Sequence, residues 1–141
     1  MTFDATLNPV VYEGVFLCLL IQKKVHRIWP VALERAFKIY PDVKIVVSAE
    51  LYGYLGCMDL IKKICEMHVA MLVEYAAEAM EQSSTVDCAV CSETYSAISY
   101  NGNKIINDSA GGCLMTNDRK MADKGAQMVH AGTRKHPMVS A

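Results

Sequence analysis

With 141 residues the chain has the length of one domain and leaves no room for two. Apolar residues make up 52% and charged residues 21%, which argues against a disordered chain; so much apolar material is hard to hide in one small globule, so a homo-oligomer is expected. A net charge of −1 supplies no bulk attraction to DNA or to an anionic membrane and argues against a DNA-packaging role.

Asn8-Pro9 reads as a helix start, with Asn as N-cap and Pro in the first turn, and the helix is expected to run to about Lys24. Its apolar run, Val15–Ile21, is far short of the roughly twenty residues that cross a bilayer. Asp4 and Glu13, not basic residues, precede that run, so no membrane segment or targeting sequence is expected and the chain reads as cytoplasmic. Pro30 opens a second helix to Tyr40, closed by Pro41. The β-branched run Val43–Val47 predicts a strand, after which Ser48 caps a helix through Leu55. The longest element is a helix from Met58 to about Gln82, with Ile61, Ile64, Cys65, His68, Met71, Leu72, Tyr75 and Ala79 on its core stripe.

The second half reads differently. Thr85–Val90 predicts a strand, and Glu93–Tyr100 and Asn103–Ile106 flank Asn101-Gly102, a type I′ turn signal that predicts a β-hairpin. Gly111-Gly112 reads as a loop and Cys113–Met115 as a short strand; Thr116 or Asn117 then caps a helix that stops at Gly125. Val129–Ala131 reads as a last strand. The domain is taken as 1–132 and residues 133–141 as a flexible basic tail. The expected fold is α/β: a small, partly parallel sheet flanked by helices, with a β-hairpin in the second half.

Two groups of residues suggest chemistry. Cys113–Lys120 is a strand ending in a polar turn that opens a helix, and it sets Asp118 at the C-terminal edge of a sheet, where α/β proteins collect ligands. Asp108 precedes it by ten residues. Carboxylates that converge there can hold Mg²⁺ or Mn²⁺ and activate a water. In Leu114–Ala122, in Ile45–Gly53 and in Asn107–Ala110, the sequence resembles the PIN-like nuclease family. That resemblance implies a metal-dependent hydrolase that cuts single-stranded RNA, with Asp118, Asp108 and Glu50 catalytic and Asp4, Glu50, Asp108 and Asp118 as metal ligands. The plainer reading makes Asp118 and Glu50 partners of their helix dipoles and Asp108 part of an Asx-turn.

The second group is Cys65-x₂-His68 with Cys88-x₂-Cys91, a donor set that matches a closed structural Zn²⁺ site. The alternative function is therefore a small zinc-binding or oligomeric interaction module without catalysis. Against the zinc site, Cys65 and His68 lie on the core stripe, where such residues pack rather than ligate. All six cysteines, which also include Cys18, Cys57 and Cys113, are expected as free thiols.

Overall fold

The computed structural model describes residues 4–20, 30–49, 57–78, 95–104, 108–109 and 111–134. The elements are α1 (Asp4–Tyr12), α2 (Pro30–Ile39), β1 (Ile45–Ala49), α3 (Met58–Met67), β2 (Met71–Tyr75), β3 (Tyr95–Ser99), β4 (Gly112–Met115) and α4 (Arg119–Arg134). The strands form one sheet in the order β1-β2-β3-β4. β1, β2 and β3 run parallel and β4 pairs antiparallel with β3. The expected α/β class, with a partly parallel sheet flanked by helices, is what the chain adopts. No helix among the described residues is long and apolar enough to cross a membrane.

The first half is a β-α-β unit. Parallel neighbours need a crossover, and α3 is the helix that lies between β1 and β2 in the chain. α3 presents Ile61, Ile64 and Cys65 at spacings of three and four, so they fall on one face. They meet Leu33 and Phe37 of α2 and Val46 and Leu72 of the sheet in one buried cluster, in which Ile61 is 0% exposed. Each such side chain contributes about 1.5–3 kcal/mol when fully buried.

The expected long helix, Met58 to Gln82, is two elements. α3 ends in a Schellman motif: the Val69 N–H donates to Glu66 O (3.1 Å) and the Ala70 N–H to Cys65 O (2.9 Å). The residue in the left-handed position is Val69, at φ 53°. A glycine there would have marked the helix end in the sequence; a valine does not. The Met71 N–H then reaches Lys44 O (2.8 Å) and starts β2. Met71–Tyr75 is a short apolar run that fits a helix stripe and a buried strand equally well by pattern.

Other boundaries moved for similarly local reasons. α1 starts at Asp4, so Asn8-Pro9 lies inside it rather than at its start, and it stops at Tyr12 because Gly14 takes a left-handed φ of 65°, so Val15–Leu20 is not helical. Ser48 lies inside β1 rather than capping a helix. α4 passes through Gly125 to Arg134, covering the stretch expected as a strand at 129–131. The missing Cβ of Gly125 serves packing instead: it would stand 3.0 Å from Leu114 Cδ2, which places α4 against β4. In the hairpin, β3 pairs with Gly112–Met115 and not with Asn103–Ile106. Neither Asn101 nor Gly102 has the positive φ of a type I′ turn. Gly112 is held to glycine by its partner strand, since a Cβ would lie 2.6 Å from the Ile98 carbonyl oxygen. The strand expected at 85–90 lies outside the described residues.

One acid is enclosed on the face of the sheet that packs on α2 and α3. Glu74 of β2 is 2% exposed, and the Ser96 hydroxyl of β3 donates to its Oε2 at 2.8 Å. Burial pushes the Glu74 carboxyl above its ordinary value, while the Ser96 hydrogen bond and the Lys62 ammonium pull it back.

Two outcomes follow from these local features. Val69→Gly relieves a β-branched residue in a left-handed position and raises stability by about 1 kcal/mol, read by urea denaturation; a loss of stability contradicts this account of the helix end. Glu74 binds its proton more tightly folded than unfolded, so the native state loses stability as pH rises from the ordinary carboxylate range through the raised value. Glu74→Gln, which keeps an acceptor for Ser96 without the charge, removes that downward slope. Denaturation midpoints across that range check it, and an unchanged slope in the variant would refute it.

Candidate functional site

Because β1, β2 and β3 are parallel, their C-terminal ends Ala49, Tyr75 and Ser99 share one edge of the sheet. This is the edge at which open α/β sheets take up ligands. Two segments leave it side by side. After β2, Ala76 and Ala77 are both buried, and the Ala76 N–H donates to Ala97 O of β3 (3.0 Å). Glu78 follows two residues after that tether. After β3, the Asn101 N–H donates to Ser99 Oγ (3.3 Å), the Gly102 N–H to Asn101 Oδ1 (3.0 Å) and the Lys104 N–H to Asn101 O (2.8 Å). The same loop is fastened further on, where the Tyr100 N–H meets Gly111 O (2.9 Å) and the Asp108 N–H meets Tyr100 O (3.0 Å).

The two segments meet in an ion pair. Lys104 Nζ lies 3.0 Å from Glu78 Oε1, joining residues 26 apart in sequence. The Lys104 side chain is 13% exposed, against 34% for Lys62, and the other described lysines are exposed. A lysine ammonium carries a large cost of burial, so an amine sheltered at a ligand-binding edge with its own counter-ion is a chemical feature rather than a surface charge. Nearby, the Tyr100 hydroxyl lies 3.3 Å from Cys113 Sγ, and this contact holds the phenol above its usual range.

The residues singled out in the sequence lie elsewhere. Asp118 is the N-cap of α4: its Oδ1 accepts from the Lys120 N–H (2.9 Å) and the Met121 N–H (3.3 Å). Asp108 is exposed in the loop after β3, and Asp4 is exposed in the first turn of α1. Glu50, Cys88 and Cys91 lie outside the described residues. Cys65 is buried in the core, and desolvation, then Glu66, pushes its thiol up to about 11, away from the thiolate a metal needs. His68 stacks on Phe37, with ring centroids 4.2 Å apart and planes 6° apart. Among the described residues no three His, Cys, Asp or Glu side chains gather into a metal-holding group.

Comparison with known proteins settles the family. Residues 1–140 match the model of the DegT/DnrJ/EryC1/StrS aminotransferase family. The chain belongs to that family. EpsN of Bacillus subtilis (strain 168), whose assigned name is that of a pyridoxal phosphate-dependent aminotransferase, is 34% identical over 134 residues, covering 87% of this chain and 33% of its own length. GDP-perosamine synthase of Caulobacter vibrioides is 30% identical over 131 residues, covering 88% of this chain and 33% of its own. The crystal structure of PseC from Helicobacter pylori, an aminotransferase of pseudaminic acid biosynthesis, superposes with a TM-score of 0.82 at 21% identity, over 99% of this chain and 37% of that one. The chain thus spans about a third of the length of the curated relatives it matches.

Membership of an aminotransferase family overturns the expected PIN-like ribonuclease, and with it the hydrolase chemistry and the Mg²⁺ or Mn²⁺ assigned to it. It equally overturns the zinc-binding structural module and its Zn²⁺. The likeness to a nuclease at Leu114–Ala122 rested on a strand, a turn reading Thr116-Asn117-Asp118-Arg119 and a helix. Any capped helix that follows a strand satisfies that pattern, and the Asp118 carboxylate is occupied by its own helix. Lys104 and Glu78 drew no attention in the sequence. A lone lysine in a polar loop has no spacing signature, and reading 58–82 as one helix hid the fact that Glu78 leaves the end of a strand.

The capping role of Asp118 is directly testable. Asp118→Ala costs about 0.5–2 kcal/mol of stability, whereas Asp118→Asn, an equally good cap, is nearly neutral. Chemical denaturation of both variants separates the cases; a large loss in the Asn variant contradicts a capping role.

Proposed function

We propose that this chain carries the cofactor-tethering lysine of a pyridoxal phosphate-dependent aminotransferase, and that this lysine is Lys104. The observation that carries the reading is the sheltered Lys104 amine, 13% exposed, held at the C-terminal edge of the parallel strands. Enzymes of this cofactor class require a lysine amine that can combine with the cofactor's carbonyl. The donor set at this edge fits that requirement. Lys104 supplies the amine, the hydrogen-bonded turn from Asn101 fixes its backbone, and Glu78 is its counter-ion. Ala76 and Ala77, the small residues before Glu78, are buried. Glu74, the other acid near this edge, lies on the helix-covered face and is engaged by Ser96, which keeps it from the amine. When bound, pyridoxal phosphate supplies the electron sink and the amino-group carrier that side chains lack.

The names of the relatives support a substrate class. A protein 30% identical over most of this chain is named GDP-perosamine synthase, and PseC, similar in fold, serves pseudaminic acid biosynthesis. The amino group is therefore proposed to pass to the keto carbon of a nucleotide-linked sugar.

The chain incubated with pyridoxal phosphate and reduced with borohydride is expected to gain one pyridoxyl adduct, on Lys104, located by peptide mass spectrometry. Lys104→Ala is expected to lose it and the cofactor's visible absorbance. Adducts spread over exposed lysines such as Lys120 and Lys124, with Lys104 unmodified, would overturn the assignment.

A further inference from the structure

We infer that Glu78 is a positioning residue for Lys104: it fixes where the amine stands and so governs how fast that amine meets a carbonyl. The inference rests on the assignment of Lys104 given above and adds the residue that orients it. A lysine has a flexible four-carbon stem whose end wanders unless something holds it. Here the loop turn fixes only the Lys104 backbone, through its N–H to Asn101 O at 2.8 Å. The far end is fixed by a second segment, the turn after β2, whose Glu78 Oε1 reaches Nζ at 3.0 Å. Both anchors belong to the sheet itself. The Ala76 N–H to Ala97 O bond (3.0 Å) ties the Glu78 turn to β3, and Lys104 lies in the loop that follows β3. Strand pairing therefore brings the backbones of the two residues to the same edge, within reach of one ion pair. With Lys104 only 13% exposed and Glu78 30% exposed, the pair is less screened by water than a surface ion pair.

Glu78 does no chemistry in this account. Condensation needs the free amine: the ammonium gives one proton to solvent, the nitrogen joins the carbonyl carbon, and its two remaining hydrogens leave with the carbonyl oxygen as water; the carboxylate's part is to present the nitrogen. A slowly moving, correctly placed amine reacts faster with a bulky carbonyl that docks in one orientation. A small carbonyl that arrives from any direction reacts faster with a freed amine. The two probes should therefore respond to loss of Glu78 in opposite directions.

The test uses the full chain and two reagents: pyridoxal phosphate trapped with borohydride, and formaldehyde trapped with cyanoborohydride. Modification of Lys104 is timed by peptide mass spectrometry, with exposed Lys120 and Lys124 as internal references. Glu78→Ala is expected to slow pyridoxyl labelling of Lys104 about tenfold to a hundredfold, in line with the loss that misplacing a reacting group causes. It is expected to speed formaldehyde labelling of Lys104 severalfold while leaving the reference lysines unchanged. Glu78→Gln keeps an acceptor oxygen on a stem of the same length and is expected to restore most of the pyridoxyl rate. Local unfolding would instead raise labelling by both reagents. Equal pyridoxyl rates on Lys104 in wild type and Glu78→Ala overturn this inference alone. A wild-type chain that takes no pyridoxyl group on Lys104 overturns the functional reading and this inference together.

Discussion

The parallel pairing of β1, β2 and β3 is the constraint from which the rest of the structure follows. Parallel strands share a direction, so everything that leaves their C-terminal ends leaves at one edge. Glu78 and Lys104 are separated by the whole stretch between β2 and β3, yet they meet there at 3.0 Å because each stands a few residues past a strand end. Antiparallel pairing of the same two strands would send the two residues to opposite edges. The site is thus a consequence of strand direction before it is a consequence of any side chain.

The core exists to hold that sheet in place. α2 and α3 cover one face through Leu33, Phe37, Ile61, Ile64 and Cys65, and α4 approaches the other through the gap that Gly125 leaves for Leu114. The antiparallel strand β4 has a narrower task. Its glycine, Gly112, comes close enough to the Ile98 carbonyl that no side chain fits, and the pairing follows the loop that carries Lys104. The buried Glu74–Ser96 bond lies across the same two strands as the Lys104 site but on the helix-covered face. It makes β2 and β3 sensitive to pH.

Much of the architecture was legible in the residues. Pro30 marked the start of α2, the β-branched run at 45–47 marked β1, and the polar turn after Met115 marked the start of α4. What failed to show was the division of the longest apolar stretch into α3 and β2. The left-handed residue at the break is Val69 where a glycine usually stands, so the chain carries no punctuation at the point where it changes structure. That single omission removed the β-α-β unit from view, and with it the reason for Glu78 and Lys104 to be neighbours. The acids that drew attention instead, Asp118 above all, show regular local patterns because capping is a local interaction.

The sequence by itself determined the α/β class and the starts of α2 and α3, because propensity and proline geometry act over a few neighbouring residues. Tertiary structure alone decided which charged side chains meet. A contact between Glu78 and Lys104 depends on the direction and order of strands, and those are set by the burial of α3 against the sheet rather than by anything within reach along the chain.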